Sequence, residues 1–511
     1  MARAGRISER RRRERGGAGI AQLPWQPLRN PLPPLELVPA DALERIHHAS
    51  LRILAEIGMN FLLPEAREIL RAAGAKVEPG STRVRFDPAL IEERIATAPA
   101  RFTLHARNPE RHVPIGDDRM VFALVASAPN VSDLDRGRRA GTFADYCNLI
   151  RLSHSLEIVH YTGGYPVEPT DVPPDVRHLE AVSAMARLTD KTLYGYSLGR
   201  RRILDAIEMV RIARGISDDQ LEREPSLTTV VNANSPLQYD VPMLWGMIEL
   251  ARRNQPVIVT PFTLAGAMAP VTLAGALAQQ NAEALAGIAF IQMVRPGAPV
   301  IYGGFTSNVD MKSGAPAFGT PEYAKATIAG GQLARRYKVP FRASNACASN
   351  TPDAQATWES EMSIWACALG GVNVVKHALG WLEGGLCASF EKVILDAEML
   401  QHLAAFFQPF TVDDDTLALD AIAEVGPGGH FFGSAHTLAR YETAFYQPFL
   451  SDWRNFETWS GDGALDATRR ANRIWKQLLA DYEPPPMDDA IADELQAFVE
   501  RRKAEGGAPA D

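Results

Sequence analysis

The chain has 511 residues, 46% of them hydrophobic and 22% charged, so it can bury one large core or two to three average ones. Its net charge of -8 gives no overall attraction to nucleic acid or to anionic membranes. No apolar run reaches the ~18 residues that a membrane helix needs, and no signal-peptide pattern follows the basic start. We therefore expect a cytoplasmic protein with no membrane and no nucleic-acid partner.

Residues 1–40 are predicted to form a basic and proline-rich arm that is partly disordered. Within residues 1–15, seven arginines against two glutamates give a local charge of +5. A run this charged has little apolar surface to bury, which favours a mobile tail. Residues 24–39 contain six prolines, which disfavour a helix and favour an extended segment on the surface.

Residues 41–115 are predicted to form a helical cap with short strands. Apolar residues recur every three or four positions in residues 41–59, and Gly58 supplies a helix-ending glycine. Residues 64–74 and 88–98 repeat the helical pattern on either side of a short predicted strand, residues 82–86.

Residues 116–430 are predicted to form an α/β domain, a (β/α)8 TIM barrel. Short apolar runs bounded by Gly or Pro alternate with helical stretches, as in a parallel sheet that is buried on both faces. No GxGxxG sequence follows a predicted strand, which disfavours an open dinucleotide-binding sheet. The predicted strands are residues 121–125, 158–162, 192–197, 227–232, 256–262, 298–302, 340–344 and 372–377.

Helical patterns continue within and after the barrel. The most apolar region, residues 264–294, contains several polar side chains and is predicted to be a buried helix. Residues 396–407 form another predicted helix. A C-terminal helical extension, residues 431–511, contains predicted helices at 467–482 and 489–502, which three consecutive prolines separate.

Two predicted loops carry a pair of glycines directly after a strand. The pairs are Gly163-Gly164 and Gly303-Gly304. In a barrel the functional groups come from the loops that follow the strands, and missing side chains allow a ligand or a cofactor to approach the backbone. A tight turn without a ligand is the alternative for either pair.

Aromatic residues accompany both glycine pairs, at Tyr161, Tyr165, Tyr302 and Phe305. Aromatic faces attract quaternary ammonium ions by roughly 0.5–2 kcal/mol each, and such ions have no N–H group to satisfy otherwise. The rings therefore predict a site for a betaine-like ligand. Core packing remains the alternative for any single ring.

Ionisable residues follow the last predicted strand, at Lys376, His377 and Glu383, with Trp381 among them. Strand alternation places Lys376 and His377 on opposite faces, so that only one can point into the barrel. We predict that His377 points inward and that Lys376 extends past its neighbours to water. A purely structural hydrogen-bonding role is the alternative for His377.

The four cysteines lack the spacing of a zinc site and are predicted to be reduced, as small core residues. For Cys347 a functional role stays open, because it lies in a polar loop with Asn345. The four are Cys147, Cys347, Cys367 and Cys387.

Several longer stretches resemble the trimethylamine methyltransferase family. They include residues 127–138 (SAPNVSDLDRGR), 162–169 (TGGYPVEP), 235–238 (SPLQ), 303–319 (GGFTSNVDMKSGAPAFG) and 377–390 (HALGWLEGGLCASF). The resemblance spans residues 43–486 and implies a (β/α)8 barrel that binds a small methylated amine. It also implies methyl transfer to cob(I)alamin presented by a corrinoid-binding protein, with no tightly bound cofactor and no metal. We further expect a homo-oligomer.

One departure from the family narrows the implied substrate. Archaeal members hold pyrrolysine in the loop before a Pro-Asp-x-Gln stretch, which is residues 352–355 here. The corresponding loop, residues 345–350 (NACASN), contains no pyrrolysine. Relatives without pyrrolysine include glycine betaine methyltransferases, so the resemblance implies a quaternary, glycine betaine-like amine.

The site residues predicted on this basis fall into three sets. His377 and Glu383 are the predicted catalytic residues, and Gly163, Gly164, Gly303 and Gly304 are predicted to approach the cofactor. The predicted ammonium cage consists of Tyr165, Phe262, Tyr302, Phe305 and Trp381. The predicted polar contacts, mainly to a carboxylate, are Asn232, Asn234, Asn345, His377 and Lys312.

Two other functions stay open from the residues alone. Lys376 near a barrel strand end could form a Schiff base in a lyase or aldolase if desolvation lowers its pKa. A non-catalytic protein that binds methylated amines is the third possibility.

Overall fold

The structure is a computed structural model that describes residues 20–509, so the predicted arginine-rich tail lies outside the described residues. The fold is mixed α/β, with a curled, mostly parallel sheet and helices packed outside it. Between residues 20 and 509, no helix combines the length and apolarity that crossing a membrane requires.

The main sheet contains seven parallel strands, which we number in chain order. They are β1 (Arg119–Leu124), β2 (Leu193–Tyr194), β3 (Leu227–Val231), β4 (Val257–Val259), β5 (Val300–Gly303), β6 (Phe341–Ser344) and β7 (Val374–Leu379). The spatial order is β1-β7-β6-β5-β4-β3-β2, with the strand Leu28–Arg29 antiparallel to β1 at the edge.

The predicted strand at residues 158–162 is reduced to a single bridging residue. Tyr161 forms isolated parallel bridges to Ala123 of β1 and to Thr192, which directly precedes β2. Tyr161 therefore lies between β1 and the start of β2, which are the first and last parallel strands of the curled sheet. Each of the other predicted barrel strands overlaps one of β1 to β7, although the strand predicted at residues 192–197 is only Leu193–Tyr194.

Alternate residues of the strands face two separate cores. One set, including Val121, Ile258 and Val374, forms a small apolar cluster on the concave side of the sheet. The other set, including Val257 and Val300, packs against the helices in the large core. Because both faces are covered, the strands are continuous apolar runs rather than alternating ones.

Helices connect the successive strands and lie on the convex side of the sheet. They follow β1, Tyr161, and β2 to β7 in turn: Phe143–Ser155, Pro174–Leu188, Arg200–Arg214 with Asp218–Arg223, Val241–Arg252, Leu273–Val294, Pro321–Tyr337, Ala354–Gly370 and Phe390–Phe406. Parallel strands require such crossovers, and helices are the usual ones.

The N-terminal part of the chain contains helices and short strands, with one predicted boundary changed. The first helix, Ala40–Arg52, continues as a π-helical turn, Ile53–Ile57, and ends at Gly58. Gly58 has φ 80°, and a Cβ there would lie 2.6 Å from the Val84 carbonyl oxygen, so glycine is required. Met59 already belongs to a strand, and the remaining helices here are Pro64–Ala72 and Pro88–Ile95.

Two further boundaries differ from the prediction. The buried helix predicted from residue 264 begins at Leu273, because Leu264 lies in a strand, Phe262–Ala265, paired with Phe305–Val309. The helix predicted from residue 396 begins at Phe390, where the Ser389 hydroxyl accepts a hydrogen bond from the Lys392 backbone N–H at 3.2 Å.

The remaining elements are short or C-terminal. The other strands are Met59–Phe61, Lys76–Val77, Arg83–Arg85, Phe102–Leu104, Val113–Ile115, Asn130–Asp133, Gly137–Ala140, Gln238–Tyr239, Pro316–Ala317, Trp381–Leu382 and Cys387–Ser389. Two 3₁₀ turns are Pro109–Arg111 and Glu383–Gly385. The C-terminal helices are Asp414–Leu417, Leu419–Val425, Ala435–Arg440, Phe456–Gly461, Ala467–Ala480 and Asp489–Ala504.

Candidate active site

Four aromatic rings meet beyond the carboxyl ends of β4 to β7, and we call Phe262, Phe305, Phe318 and Trp381 the ring group. Phe305 is central, with ring centroids 5.1 Å from Phe262, 5.2 Å from Phe318 and 5.8 Å from Trp381. Phe262 and Phe305 are neighbours because their strands pair in register. Phe262 is half-buried and the other three rings are buried, so the group has one solvent-accessible side.

His377 extends the ring group toward β6. Its ring centroid lies 4.4 Å from that of Trp381, and its Nδ1 is 3.1 Å from the Ser344 hydroxyl. Burial, followed by the nearby Arg342 and Lys376 charges, lowers the pKa of His377 well below its ordinary value. A neutral, half-buried imidazole therefore stands next to the rings.

The structure corrects the predicted orientation of Lys376. Lys376 shares the concave face with Val374, as alternation requires, so the prediction assigned the two faces the wrong way round. Alternation ends one residue later, because His377 has φ 53° and the pairing of β7 with β1 shifts register between Val375 and Leu379. Lys376 does not extend to water: its side chain is 1% exposed and faces the concave side of the sheet.

Lys376 lies against tyrosines on the concave side. Its Nζ is 4.4 Å from the Tyr194 ring centroid and 6.0 Å from that of Tyr161. Nζ has no hydrogen-bond partner. Burial, and then the Arg342 charge, lowers the pKa of Lys376 well below its ordinary value.

Arg342 is a second buried cation on the same face. It is 2% exposed, and its guanidinium carbon lies 5.9 Å from the Phe305 ring centroid. The Nε and Nη1 atoms have no hydrogen-bond partner. Within residues 20–509, neither Arg342 nor Lys376 forms an ion pair with a carboxylate. Two cationic side chains are thus enclosed without a counter-charge.

Several hydroxyl groups near the concave side also lack partners. Buried polar atoms are nearly always hydrogen-bonded, to protein or to water, so a group of exceptions indicates space that a polar molecule fills. These atoms belong to Tyr161, Thr192, Thr228 and Thr260. Val230 faces the same side as Ile258 yet is only partly buried, so solvent reaches this interior.

Tyr165 belongs to a separate set of rings. Its centroid is 4.4 Å from that of Tyr196, which is 5.0 Å from that of Tyr194. The Tyr196 hydroxyl accepts a hydrogen bond from the Tyr165 backbone N–H at 3.1 Å. Because Tyr194 is the ring next to Lys376, these tyrosines border the interior opposite the ring group.

The structure corrects the expected position of Tyr302. It lies on the convex side of β5, where its hydroxyl donates to Asn281 at 3.0 Å and accepts from Gln280 at 3.3 Å. Both partners belong to the helix Leu273–Val294. Tyr302 is one residue before Gly303, so alternation turns its side chain away from the concave face. It does not join the predicted cage.

The predicted amide and amine donors are dispersed. Asn232 is exposed, and Asn234 is exposed and donates to the Asp240 carboxylate at 3.1 Å. Lys312 is also exposed. Asn345 is fully buried and donates to the Ala378 carbonyl at 3.0 Å, while its Oδ1 has no partner. Of this set, only Asn345 lies within the interior.

The predicted glycines lie beside the enclosed cations. A Cβ at Gly163 would lie 3.3 Å from Lys376 Nζ, and Gly303 pairs in register with Arg342. A Cβ at Gly303 would overlap the Thr260 hydroxyl, and one at Gly164 would lie 2.7 Å from the Ala126 Cβ. Gly304 instead faces Gln280 of the helix layer. These glycines allow close packing of the backbone at the edge of the site.

Glu383 and Cys347 lie at the edge of the site. Both Glu383 carboxylate oxygens accept hydrogen bonds from Arg138 Nε, at 2.8 and 2.9 Å, so its charge is compensated. Cys347 is buried, and burial raises the pKa of its thiol to about 12, which makes it unreactive. All four cysteines are free, and three of them are buried.

Sequence reasoning missed Phe318 and Arg342. Phe318 lies in the quoted stretch 303–319, where it is the second aromatic residue, after Phe305. Arg342 is the one charged residue of β6, a strand buried on both faces. A charge in such a strand is a signal, because its burial is unfavourable unless a partner is supplied.

These features define an α/β protein with aromatic and cationic groups at the carboxyl ends of a curled parallel sheet. A family model described as trimethylamine methyltransferase (MTTB) matches residues 3–507. A glycine betaine methyltransferase from Desulfitobacterium hafniense (strain Y51) is 40% identical over 477 residues, covering 93% of this chain and 99% of the relative. The chain belongs to the trimethylamine methyltransferase family, which confirms the resemblance in its motifs.

One further relative agrees with this assignment, and one solved structure has a similar fold. Trimethylamine methyltransferase MttB of Desulfitobacterium hafniense (strain DSM 10664 / DCB-2) is 30% identical over 469 residues, covering 91% of this chain and 94% of the relative. The crystal structure of the hydroxylamine complex of MtmB has a TM-score of 0.51 at 12% identity, covering 91% of this chain and 89% of that chain. The latter similarity concerns the fold alone.

Proposed function

We propose that this protein transfers a methyl group from a quaternary, glycine betaine-like amine to the cobalt(I) of a corrinoid on a separate protein. The ring group carries this proposal, because clustered aromatic rings with one half-buried member suit a cation that has no N–H group. The 40% identity to a glycine betaine methyltransferase supports the same substrate class.

The reaction breaks one C–N bond of the substrate. The methyl group moves to cobalt, the bonding electron pair stays on nitrogen, and a neutral tertiary amine leaves. Cobalt(I) of the docked corrinoid would supply the nucleophile. Because positive charge on nitrogen disappears, a carboxylate against the ammonium would stabilise the substrate more than the transition state. Aromatic rings hold the cation with a smaller penalty of this kind, because each contact is weak, and they exclude water.

The roles of the two predicted catalytic residues follow from their contacts. The leaving amine is neutral, so the C–N cleavage needs no proton donor. His377 is held neutral against Trp381, and we assign it to the wall of the ammonium site. Glu383 is held by Arg138, and we assign it to positioning the loop that carries Trp381.

We also infer that the sheet closes into a (β/α)8 barrel and that the corrinoid protein docks over its carboxyl end. The bridges of Tyr161 to both outer strands support closure. Val271 and Met311 support docking at this end: they are 67% and 71% exposed, and both lie within 4 Å of a Cβ placed on Gly266. Exposed apolar residues beside a site are typical of a protein contact.

A spectroscopic assay tests the proposed reaction. The protein is mixed with cob(I)alamin and one of glycine betaine, proline betaine, carnitine or trimethylamine, and loss of the cobalt(I) absorption is followed. We expect conversion with a quaternary substrate and a rate that falls in Trp381→Leu. Absence of conversion with every amine, also with a corrinoid protein supplied, would contradict the proposal.

A Schiff-base lyase is the second candidate, because Lys376 is a buried amine with a lowered pKa beside Arg342. A lowered pKa increases the fraction of neutral amine, which is the form that adds to a carbonyl group. Borohydride treatment with pyruvate or glyoxylate, followed by peptide mass spectrometry, separates the two functions. The methyltransferase should give no adduct at Lys376, and a stoichiometric adduct would favour the lyase.

A further inference from the structure

Arg342 and Lys376 form a cationic site that the protein itself leaves uncompensated. Both side chains are at most 2% exposed and have unpartnered nitrogen atoms. An isolated buried charge is strongly unfavourable. Lysine can release its proton, whereas arginine stays charged under all ordinary conditions. At least one positive charge is therefore enclosed, and its natural complement is an anion brought by a ligand.

Arg342 lies one step deeper in the sheet than Phe305 of the ring group, and Lys376 lies level with Phe305. Arg342 pairs in register with Gly303, and Phe305 follows two residues later toward the carboxyl end. Lys376 pairs with Ser344, two residues beyond Arg342 on the same face. Because Arg342 also contacts the Phe305 ring at 5.9 Å, the cationic and aromatic parts are adjoining zones of one site.

Hydroxyl groups accompany the two cations. The unpartnered hydroxyls belong to Thr228 on β3 and to Thr260, which directly follows β4. Glycines allow close packing here, because a Cβ at Gly303 would overlap the Thr260 hydroxyl and one at Gly163 would lie 3.3 Å from Lys376 Nζ. Cations and hydroxyl donors together are what a carboxylate requires.

Resting on the function above, we propose that Arg342 and Lys376 bind the carboxylate of the substrate and so select zwitterionic betaines over simple quaternary amines. The substrate then enters carboxylate first, and its ammonium stays at the ring group with a methyl group facing the open end. The same pair repels a quaternary cation that has no carboxylate, which adds discrimination against such amines.

Calorimetric binding to the full-length protein tests this assignment with two ligands, glycine betaine and tetramethylammonium. Wild type should bind glycine betaine more tightly. Lys376→Met and Arg342→Met should each weaken glycine betaine by roughly 10- to 100-fold, the range for loss of a charged hydrogen bond. The same variants should bind tetramethylammonium as tightly as wild type or more tightly, because a repelling charge is removed. A general loss of structure cannot raise an affinity.

The matched control is Lys191→Met. Lys191 is also fully buried, but its Nζ donates to the backbone carbonyls of Ser153 and Leu156, at 2.6 and 2.9 Å. Its replacement should leave the ratio of the two affinities unchanged. Arg342→Lys keeps the charge and loses the planar donor, so it should fall between wild type and Arg342→Met even if the latter folds poorly.

The possible failures are distinguishable. If wild type binds and demethylates tetramethylammonium as well as glycine betaine, and the variants change both equally, the carboxylate site is wrong and the methyltransferase stands. If glycine betaine does not bind and no quaternary amine is demethylated, the proposed function fails, and this assignment with it.

Discussion

The Nζ atom of Lys376 lies 4.4 Å from the centroid of the Tyr194 ring, enclosed by the sheet and without a hydrogen-bond acceptor. The ring face offers the ammonium a partial substitute for water. It does not replace a counter-ion, since burial still lowers the pKa of Lys376 well below its ordinary value. The protonation of this lysine should therefore depend on the ligand.

Glycine betaine binding should be accompanied by proton uptake. The carboxylate raises the pKa of Lys376 back toward its ordinary value, so between the free and bound pKa values the complex holds the extra proton. Affinity should fall with rising pH in that window, by up to about tenfold per unit. Titration calorimetry in buffers of different ionisation enthalpy measures the uptake. Lys376→Met should abolish it, and an unchanged proton count in that variant would contradict the assignment.

Lys376→Met should stabilise the protein when no ligand is present. Removing an uncompensated buried cation should raise the free energy of unfolding by about 1 kcal/mol or more. The pKa of Lys376 is lowered on folding, so the unfolded chain binds more protons between the two pKa values, and wild-type stability gains from a rise in pH there. The advantage of the variant should thus shrink toward alkaline pH. Thermal unfolding of both proteins across pH measures this, and a constant difference would contradict it.

Trp381→Leu should weaken binding of the ammonium specifically. Loss of one ring contact to a desolvated cation costs about 0.5–2 kcal/mol, or about two- to thirtyfold in affinity. The neutral carbon analogue 3,3-dimethylbutanoate has the same shape and carboxylate, so its affinity should change much less. Equal losses for both ligands would mean that the residue only fills space.

Met311→Glu should impair transfer to the corrinoid protein without affecting the amine site. Met311 is 71% exposed and follows the strand Phe305–Val309. A charge in an apolar contact should raise the KM for the corrinoid protein several-fold, whereas glycine betaine affinity and transfer to free cob(I)alamin stay unchanged. Exposed Leu35, at 42% on the N-terminal arm, provides a control position for the same substitution.

The strand pattern could be predicted because it depends on local composition. Apolar runs such as Val257–Val259 are visible in the sequence, and strands that are covered on both faces are rich in such residues. Residues 158–162 have the same pattern, but only Tyr161 forms a bridge, because ladder length depends on the neighbouring strands.

The directions of the side chains were harder to predict than the positions of the strands. Period-two alternation holds through Lys376, which shares the concave face with Val374, but alternation alone does not say which of the two faces is the concave one. The positive φ of His377 then brings this side chain to the ring group, which the sequence pattern does not show.

Tyr302 was predicted to join the cage because it is close to Phe305 in sequence. The two glycines between them do not determine toward which face of the sheet either ring points. Arg342 was missed because the sequence does not show whether a charged strand residue has a partner. Only the structure shows that its Nε and Nη1 atoms have none.

Transfer of a labelled methyl group tests the central claim most directly. Glycine betaine carrying ¹³C in its N-methyl groups is incubated with the protein and cob(I)alamin, and NMR follows the label. We predict a new cobalt-bound methyl signal with an equal amount of dimethylglycine. Glycine betaine that binds at the site but keeps all its methyl groups, with free and protein-held corrinoid alike, would contradict the account.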